Sequence, residues 1–299
     1  MKSPAAAARR ELLTGVLLAG AGATAFSGKA IIVKLAYRHG VDAVTIIMYR
    51  MLFAFPLFLV LSWWAGRGKA ALTARDWRTL FGLGFCGYYL ASFLDFAGLQ
   101  YIGASLERLI LYLNPTVVLL AGKLLFKTEV TRRQWLALGV SYSGVLLVFG
   151  HDVQAGPDVA LGAALVFGSA LSYAIYLVYS GEAVRRLGAL RVTGLATSIA
   201  CILCIGQFFI LKPPAAMLVA PEVLWLSAIN ATLCTFVPVL MIMLALERIG
   251  AGATAQVGMV GPMSTIFLSV LLLDEPFNVW MAAGTALVVA GVWVLAKRR

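Results

Sequence analysis

Charge is scarce in this chain, and acids are the scarcer sign. Thirteen Asp and Glu stand against 24 Lys and Arg in 299 residues, and charged side chains make up 12% of the sequence. Histidine is nearly missing, with only His39 and His151, both in segments that read as loops. Of the four cysteines, Cys201 and Cys204 have CxxC spacing, but no second CxxC and no histidine completes a metal set, which favours small core side chains. HExxH, GxGxxG and P-loop motifs are absent, as are paired intramembrane aspartates. Ser27-Gly28 and Ser143-Gly144 offer hydroxyls, yet a serine nucleophile needs a base and both histidines lie away from them. These absences argue against an enzyme, a metal centre or a bound cofactor; no catalytic residue is assigned.

What the chain has is apolar length. It is 62% hydrophobic, with a mean hydropathy of +0.93, against the roughly 45–50% of soluble domains. Apolar runs of about 17–25 residues cross a bilayer as helices. Ten such runs are found: Leu12–Ala36, Val44–Trp64, Leu80–Ala97, Ala104–Leu125, Gln134–Gly150, Ala160–Tyr179, Val192–Leu211, Leu224–Leu244, Ala251–Leu272 and Val279–Ala296. Lipid cannot satisfy open backbone groups, and barrel strands would alternate, so an all-α membrane protein is expected.

The cations are distributed by side. Seventeen Lys and Arg fall in loops on the side of the amino terminus, whereas Arg38 and Lys212 alone mark the opposite loops. The positive-inside rule then puts both termini in the cytoplasm of a bacterial inner membrane. The formal charge of +11 needs no nucleic-acid partner, since loop topology and anionic lipid account for it. Arg9-Arg10 before an apolar stretch imitates a twin-arginine export signal, but removing the first span would spoil the symmetry described next.

The chain nearly repeats itself. Ile102-Gly103-Ala104, Pro115, Leu124-Leu125 and Gly144-Val145 recur 147 positions later as Ile249-Gly250-Ala251, Pro262, Leu271-Leu272 and Gly291-Val292. Two units are expected, residues 1–150 and 151–299, with five spans in each. An odd number of spans sends the second unit into the membrane upside down, so the expectation is ten helices as two inverted five-helix repeats around a central cavity. Pro115 and Pro262 occupy matching places and are hinge candidates. Ala19-Gly20-Ala21-Gly22-Ala23 and Gly258-Met259-Val260-Gly261 allow close helix approach, for packing or for sliding.

These features resemble the EamA family of the drug/metabolite transporter superfamily. The resemblance rests on AFSGKAIIVK with Lys34 ending the first span, Arg50 in the second, Pro115 and Pro262, acidic Glu129 and Glu275 after the fourth and ninth spans, and the Gly-Val pairs. It implies two inverted five-helix repeats and a central cavity that moves small metabolites, commonly outward. It does not name a substrate. Glu107-Arg108 departs from the family pattern, which generally has small or apolar residues there.

Charges inside a bilayer cost roughly 2.5–3.5 kcal/mol each on insertion scales, so each needs a partner, water or a function. Lys29, Lys34, Arg50, Asp95, Glu107, Arg108 and Lys123 lie in or near spans, all in the first unit. Arg50 and Lys29 are candidates to hold a substrate carboxylate, and Tyr88, Tyr112 and Asn114 to line the site. Tyr88, Ser92 and Asp95 share one helical stripe, as do Glu107, Leu111 and Asn114. Glu107 and Asp95 are candidates for proton coupling or for permanent ion pairs. Arg108 points about 100° from Glu107, so each is expected to seek another helix.

The expected function is a secondary transporter exporting an amino acid or similar carboxylate-bearing solute by alternating access. Its partners are a small-molecule substrate and membrane lipid, with protons as candidates. Efflux of lipophilic cations is the alternative, with an intramembrane enzyme or a non-transporting scaffold more distant. A monomer is compatible with the sequence, which does not fix the oligomeric state.

Overall fold

The computed structural model describes residues 4–114, 117, 118, 120, 131–152, 158–258 and 260–296. Pro115, Lys123 and Glu129 therefore lie outside the described residues. The described chain forms helices α1 (Pro4–Tyr37), α2 (Ala43–Gly66), α3 (Ala74–Gly84), α4 (Ala91–Gly98), α5 (Ala104–Leu111) and α6 (Arg132–Asp152) in the first unit. The second contributes α7 (Asp158–Leu187), α8 (Ala189–Leu211), α9 (Pro221–Ala231), α10 (Val237–Gly258), α11 (Val260–Leu273) and α12 (Val279–Ala296). No strand occurs among the described residues.

Among the described residues, six segments are long and apolar enough to cross a membrane: Glu11–Tyr37, Ala43–Gly66, Ala74–Gly98, Asp158–Leu187, Ala189–Leu211 and Pro221–Ala245. Trp135–His151, Met263–Leu273 and Val279–Gly291 are shorter apolar helices. The expected fourth span is represented by α5, and most of its remainder falls outside the described residues.

Local chemistry sets the helix ends. Asp42 caps α2 by accepting from the Thr45 amide. Thr73 and Asp76 form a reciprocal capping box on α3, and Asn278 accepts from the Met281 amide at the start of α12. Gly188, with φ +86, turns the chain sharply between α7 and α8, a conformation that favours glycine. Pro262 lies in the helical stretch of α11, near residue 259, which is outside the described residues.

Both units carry a π-helical turn that sequence does not announce. Phe85–Leu90 joins α3 to α4, and Thr232–Phe236 joins α9 to α10. Their first residues are 147 positions apart, the sequence repeat distance. The packing repeats in the same way. α1 runs along α10 while α4 runs along α7, and α2 packs on α8 as α6 packs on α12.

Glycines make this exchange visible at atomic detail. A Cβ on Gly144 would lie 2.6 Å from the Gly284 carbonyl oxygen, and one on Gly291 would lie 2.7 Å from that of Ala137, the equivalent of Gly284. Gly162 is pressed on Ile102, and its counterpart Gly15 on Ile249, the counterpart of Ile102. Each unit thus offers the other the same contacts it receives, as a two-fold relation requires. The stripe at Gly20 and Gly22 packs on α10, at Val257 and at Met241 and Ile242.

The outside is as apolar as the inside. Ile210, Phe209, Phe267 and Leu271 are all more exposed than buried. All seven tryptophans are 46–72% exposed and lie within about a turn of a helix end. Amphipathic rings at helix ends are the mark of a membrane interface, and exposed aliphatic surface between them is what lipid covers.

Candidate functional site

Four helices bring the intramembrane charges together. Lys29 on α1 is bonded to Asp95 on α4, with Nζ 2.5 Å from Oδ2, and stands 3.8 Å from Glu107 Oε1 on α5. Glu107 Oε2 lies 3.7 Å from Arg108 Nε. Glu107 does find a charge on another helix, Lys29 of α1, as expected, but contrary to expectation it also faces its neighbour Arg108. Their backbone vectors diverge, but the arginine stem is long enough to fold back to a loose contact.

Arg50 on α2 makes no ion pair with Asp95 or Glu107. It donates to Ser92 Oγ at 3.0 Å and lies 4.7 Å from the ring centre of Phe96. Lys29 occupies the Asp95 carboxylate instead, with its Nζ 5.8 Å from the same ring. Phe96 thus has two cations over its face. Lys29, Arg50, Asp95 and Glu107 are each less than a tenth exposed, so in this conformation the cluster is packed rather than open to solvent.

Packing leaves hydrogen-bonding capacity unused. Arg50 Nε, Asp95 Oδ1, both Glu107 oxygens, Arg108 Nε and the Oδ1 atoms of Asn114 and Asn230 are buried without a hydrogen-bond partner. Asn230 approaches from α9, donating to the Lys29 carbonyl at 3.5 Å. Buried polar groups are normally paired, and a concentration of unpaired ones marks a place where something else binds or moves.

The tyrosines divide. Tyr88 shares a stripe with Asp95 but engages Tyr176 of α7, hydroxyl to hydroxyl at 3.2 Å, and Tyr173 stacks on Tyr176 with ring centres 5.4 Å apart. By the 147-residue repeat, Tyr176 is the counterpart of Lys29. The second unit therefore has an aromatic hydroxyl where the first has a cation. Tyr112 packs against the apolar cluster around Leu109, Ile110 and Leu113. Cys201 and Cys204 are fully buried in α8, as core residues would be, and no group of three potential metal ligands occurs among the described residues.

Two recesses open at the end of the molecule where α1 meets α2. One, of about 470 Å³, is lined by Lys34, Arg38, Gln100 and Glu275 among others. The other, about 340 Å³, includes His39, Asp42 and Lys212. Lys34 does not reach away toward headgroups; it donates to the carbonyls of Leu99 and Ile102 at the end of α4. Glu275 accepts from the Ala104 and Ser105 amides at the start of α5. Sequence had marked Glu275 only as an acid after the ninth span and Ser92 only as a member of the Tyr88–Asp95 stripe; the partners of Glu275, and Asn230, carried no signal because serine and asparagine in apolar runs are common.

An internally duplicated bundle of apolar helices, exposed to lipid outside and holding ionisable groups within, defines an integral membrane protein of the transporter type. The EamA-like transporter family model matches residues 13–150 and again 160–297, and the chain belongs to that family. It is 28% identical over 286 residues to the uncharacterized transporter YcbK of Bacillus subtilis (strain 168), covering 92% of this chain and 90% of that one. It is also 23% identical to the uncharacterized transporter YetK of the same organism, covering 95% and 88%. A solved crystal structure superposes with a TM-score of 0.63 at 16% identity, covering 97% of this chain and 96% of that one, a likeness of fold alone.

Proposed function

We propose that the protein is a secondary transporter that exports a small carboxylate-bearing solute, such as an amino acid, by alternating access. Residues 1–150 and 151–299 are its two five-span units, inverted relative to each other in a bacterial inner membrane, with both termini cytoplasmic. The seventeen-to-two distribution of loop cations supports that orientation. The exchanged contacts of Gly144 and Gly291 support the two-fold relation.

The observation that carries the substrate reading is the state of Arg50. Arg50 is 4% exposed, has no acid within ion-pair distance among the described residues, and keeps Nε without a hydrogen-bond partner. A planar fork held by Ser92 and Phe96 is prepared for a carboxylate that arrives and leaves. A permanent pair would have used Asp95, which Lys29 holds. Asn114 and Asn230, each with a free amide oxygen, are suited to the remainder of the solute.

Glu107 is the proton candidate. Both oxygens lack a donor, so a proton on either would satisfy a buried acceptor, and the proton would be released when the site becomes wet. The buried acids Glu107 and Asp95, which keep oxygens that accept no hydrogen bond, also favour a second reading, efflux of lipophilic cations. Counterflow in proteoliposomes against radiolabelled amino acids, nucleosides and cations, with and without a proton gradient, separates the two. Exchange of carboxylate solutes that is lost in Arg50→Gln supports the first; exchange of cations alone overturns it.

A further inference from the structure

A carboxylate bridges the two units at the end of the molecule that the proposed orientation makes the outer one. Glu275, in the connection between α11 and α12, accepts from the Ala104 amide at 2.6 Å, the Ser105 amide at 3.1 Å and the Ser105 hydroxyl at 2.7 Å. Ser105 Oγ also lies 2.6 Å from Ser269 Oγ on α11. Every bond crosses from the second unit to the first.

The setting separates a fixed side from a removable one. Lys34 donates to Leu99 and Ile102, so the connection from α4 to α5 is held to α1 within its own unit. Glu275 reaches that connection from the other unit. α5 has no cap of its own, because Gly103 at its N-cap position has no side chain to supply one. The first-turn amides carry partial positive charge and are free to bind a carboxylate from elsewhere. A Cβ on Gly103 would stand 3.0 Å from Glu275 Oε1, so a larger residue would crowd the acid.

The chain that delivers Glu275 is itself constrained. Asp274 adopts φ +58, a left-handed conformation that side chains other than glycine rarely take. The Glu275 amide donates to the Ser269 carbonyl at 3.3 Å, closing the turn. Withdrawal of the carboxylate would free this turn to relax. The open recess beside Glu275, bounded by Lys34, Arg38 and Gln100, leads from this contact to the aqueous side.

We propose that Glu275 is the latch of the outer access path. Its carboxylate binds the start of α5 when that path is shut, and outward opening requires the latch to release so that α5 and α11 can part. The proposal rests on the alternating-access reading but concerns a residue remote from the ionic cluster.

The test uses the full chain with its four native cysteines changed to serine, Ser92→Cys as reporter, and a membrane-impermeant thiol reagent applied from the outer side of liposomes. Glu275→Ala should speed labelling about fivefold or more, the lower end of the range for coupled equilibria. Gly103→Ala, which crowds the acid without removing it, should act in the same direction. A disulfide between Ser105→Cys and Glu275→Cys should suppress labelling until reduced. Labelling that is indifferent to Glu275→Ala, or to the disulfide, overturns the latch. Solute counterflow in the protein that retains its native Ser92, with no effect of Glu275→Ala, condemns the latch and leaves the carrier standing. A labelling response without flux of any solute does the reverse.

Discussion

Lys29 takes the Asp95 carboxylate at 2.5 Å and leaves Arg50, one helix away, with only a serine hydroxyl and a phenyl face among the described residues. This division of labour gives the two cations different expected phenotypes. Lys29 neutralises an acid that is 2% exposed, so its loss strands a buried charge. Lys29→Met should destabilise the protein by roughly 3–5 kcal/mol, the usual cost of breaking a buried pair from one side. Lys29→Met combined with Asp95→Leu should lose much less, because the stranded charge is gone. Thermal unfolding in detergent measures both. Equal losses in the single and double variants would mean that the pair does not carry Lys29's contribution.

The helix contact between α6 and α12 predicts a matched pair of effects. Gly144 and Gly291 face backbone oxygens at a distance no larger side chain can share. Gly144→Val and Gly291→Val should each lower stability by roughly 1–3 kcal/mol, as overpacking does. Gly139, on α6, is the control, because a Cβ added there would meet no atom within 4 Å. Gly139→Ala should be neutral or gain about 0.5–1 kcal/mol from helix propensity. A detergent melting series on the three variants decides whether the two glycines are equivalent.

The class and repeat were legible because they rest on additive, long-range signals. Hydropathy over about twenty residues and a 147-residue self-similarity survive errors at any one position. The seven tryptophans at helix ends were equally readable in principle, since interfacial rings follow span boundaries. Partner choice was not. Asp95 could have gone to Arg50 or to Lys29, and only the relative rotation of α1, α2 and α4 decides that. The π turns at Phe85 and Thr232 were also invisible, because one extra residue in a helical turn needs no special side chain. The Glu107–Arg108 contact was misjudged for a related reason: backbone direction was weighed without the reach of an arginine stem.

Outside the spans, acidity should loosen one loop contact. Burial alone would raise the Asp42 pKa, but the bonds from Lys212 and from the Thr45 amide and hydroxyl outweigh it and hold the carboxyl below the usual range. A carboxylate with a depressed native pKa stabilises the fold above its unfolded value, near 4, and that contribution disappears as pH falls through the lower native value. The melting difference between the natural protein and Asp42→Asn should therefore be constant between about pH 6 and 8. It should shrink toward zero on acidification below about pH 4. A difference that grew with acid would contradict the pairing with Lys212.

Arg50 is the residue on which substrate choice turns. It lies over Phe96 and bonds Ser92, so replacing it removes no obligatory ion-pair partner and should leave the fold largely intact. Arg50→Gln should instead remove a charge-assisted contact to the solute worth about 1.5–3 kcal/mol, raising the half-saturation concentration for carboxylate counterflow by roughly 10–150-fold. Arg50→Lys should recover part of that, since a point charge replaces a bidentate fork. The result is interpretable only beside a melting curve that shows each variant folded. Folded Arg50→Gln protein with unchanged carboxylate flux would remove Arg50 from the site. The same variant with faster flux of lipophilic cations would identify Glu107 and Asp95 as the groups that select the cargo.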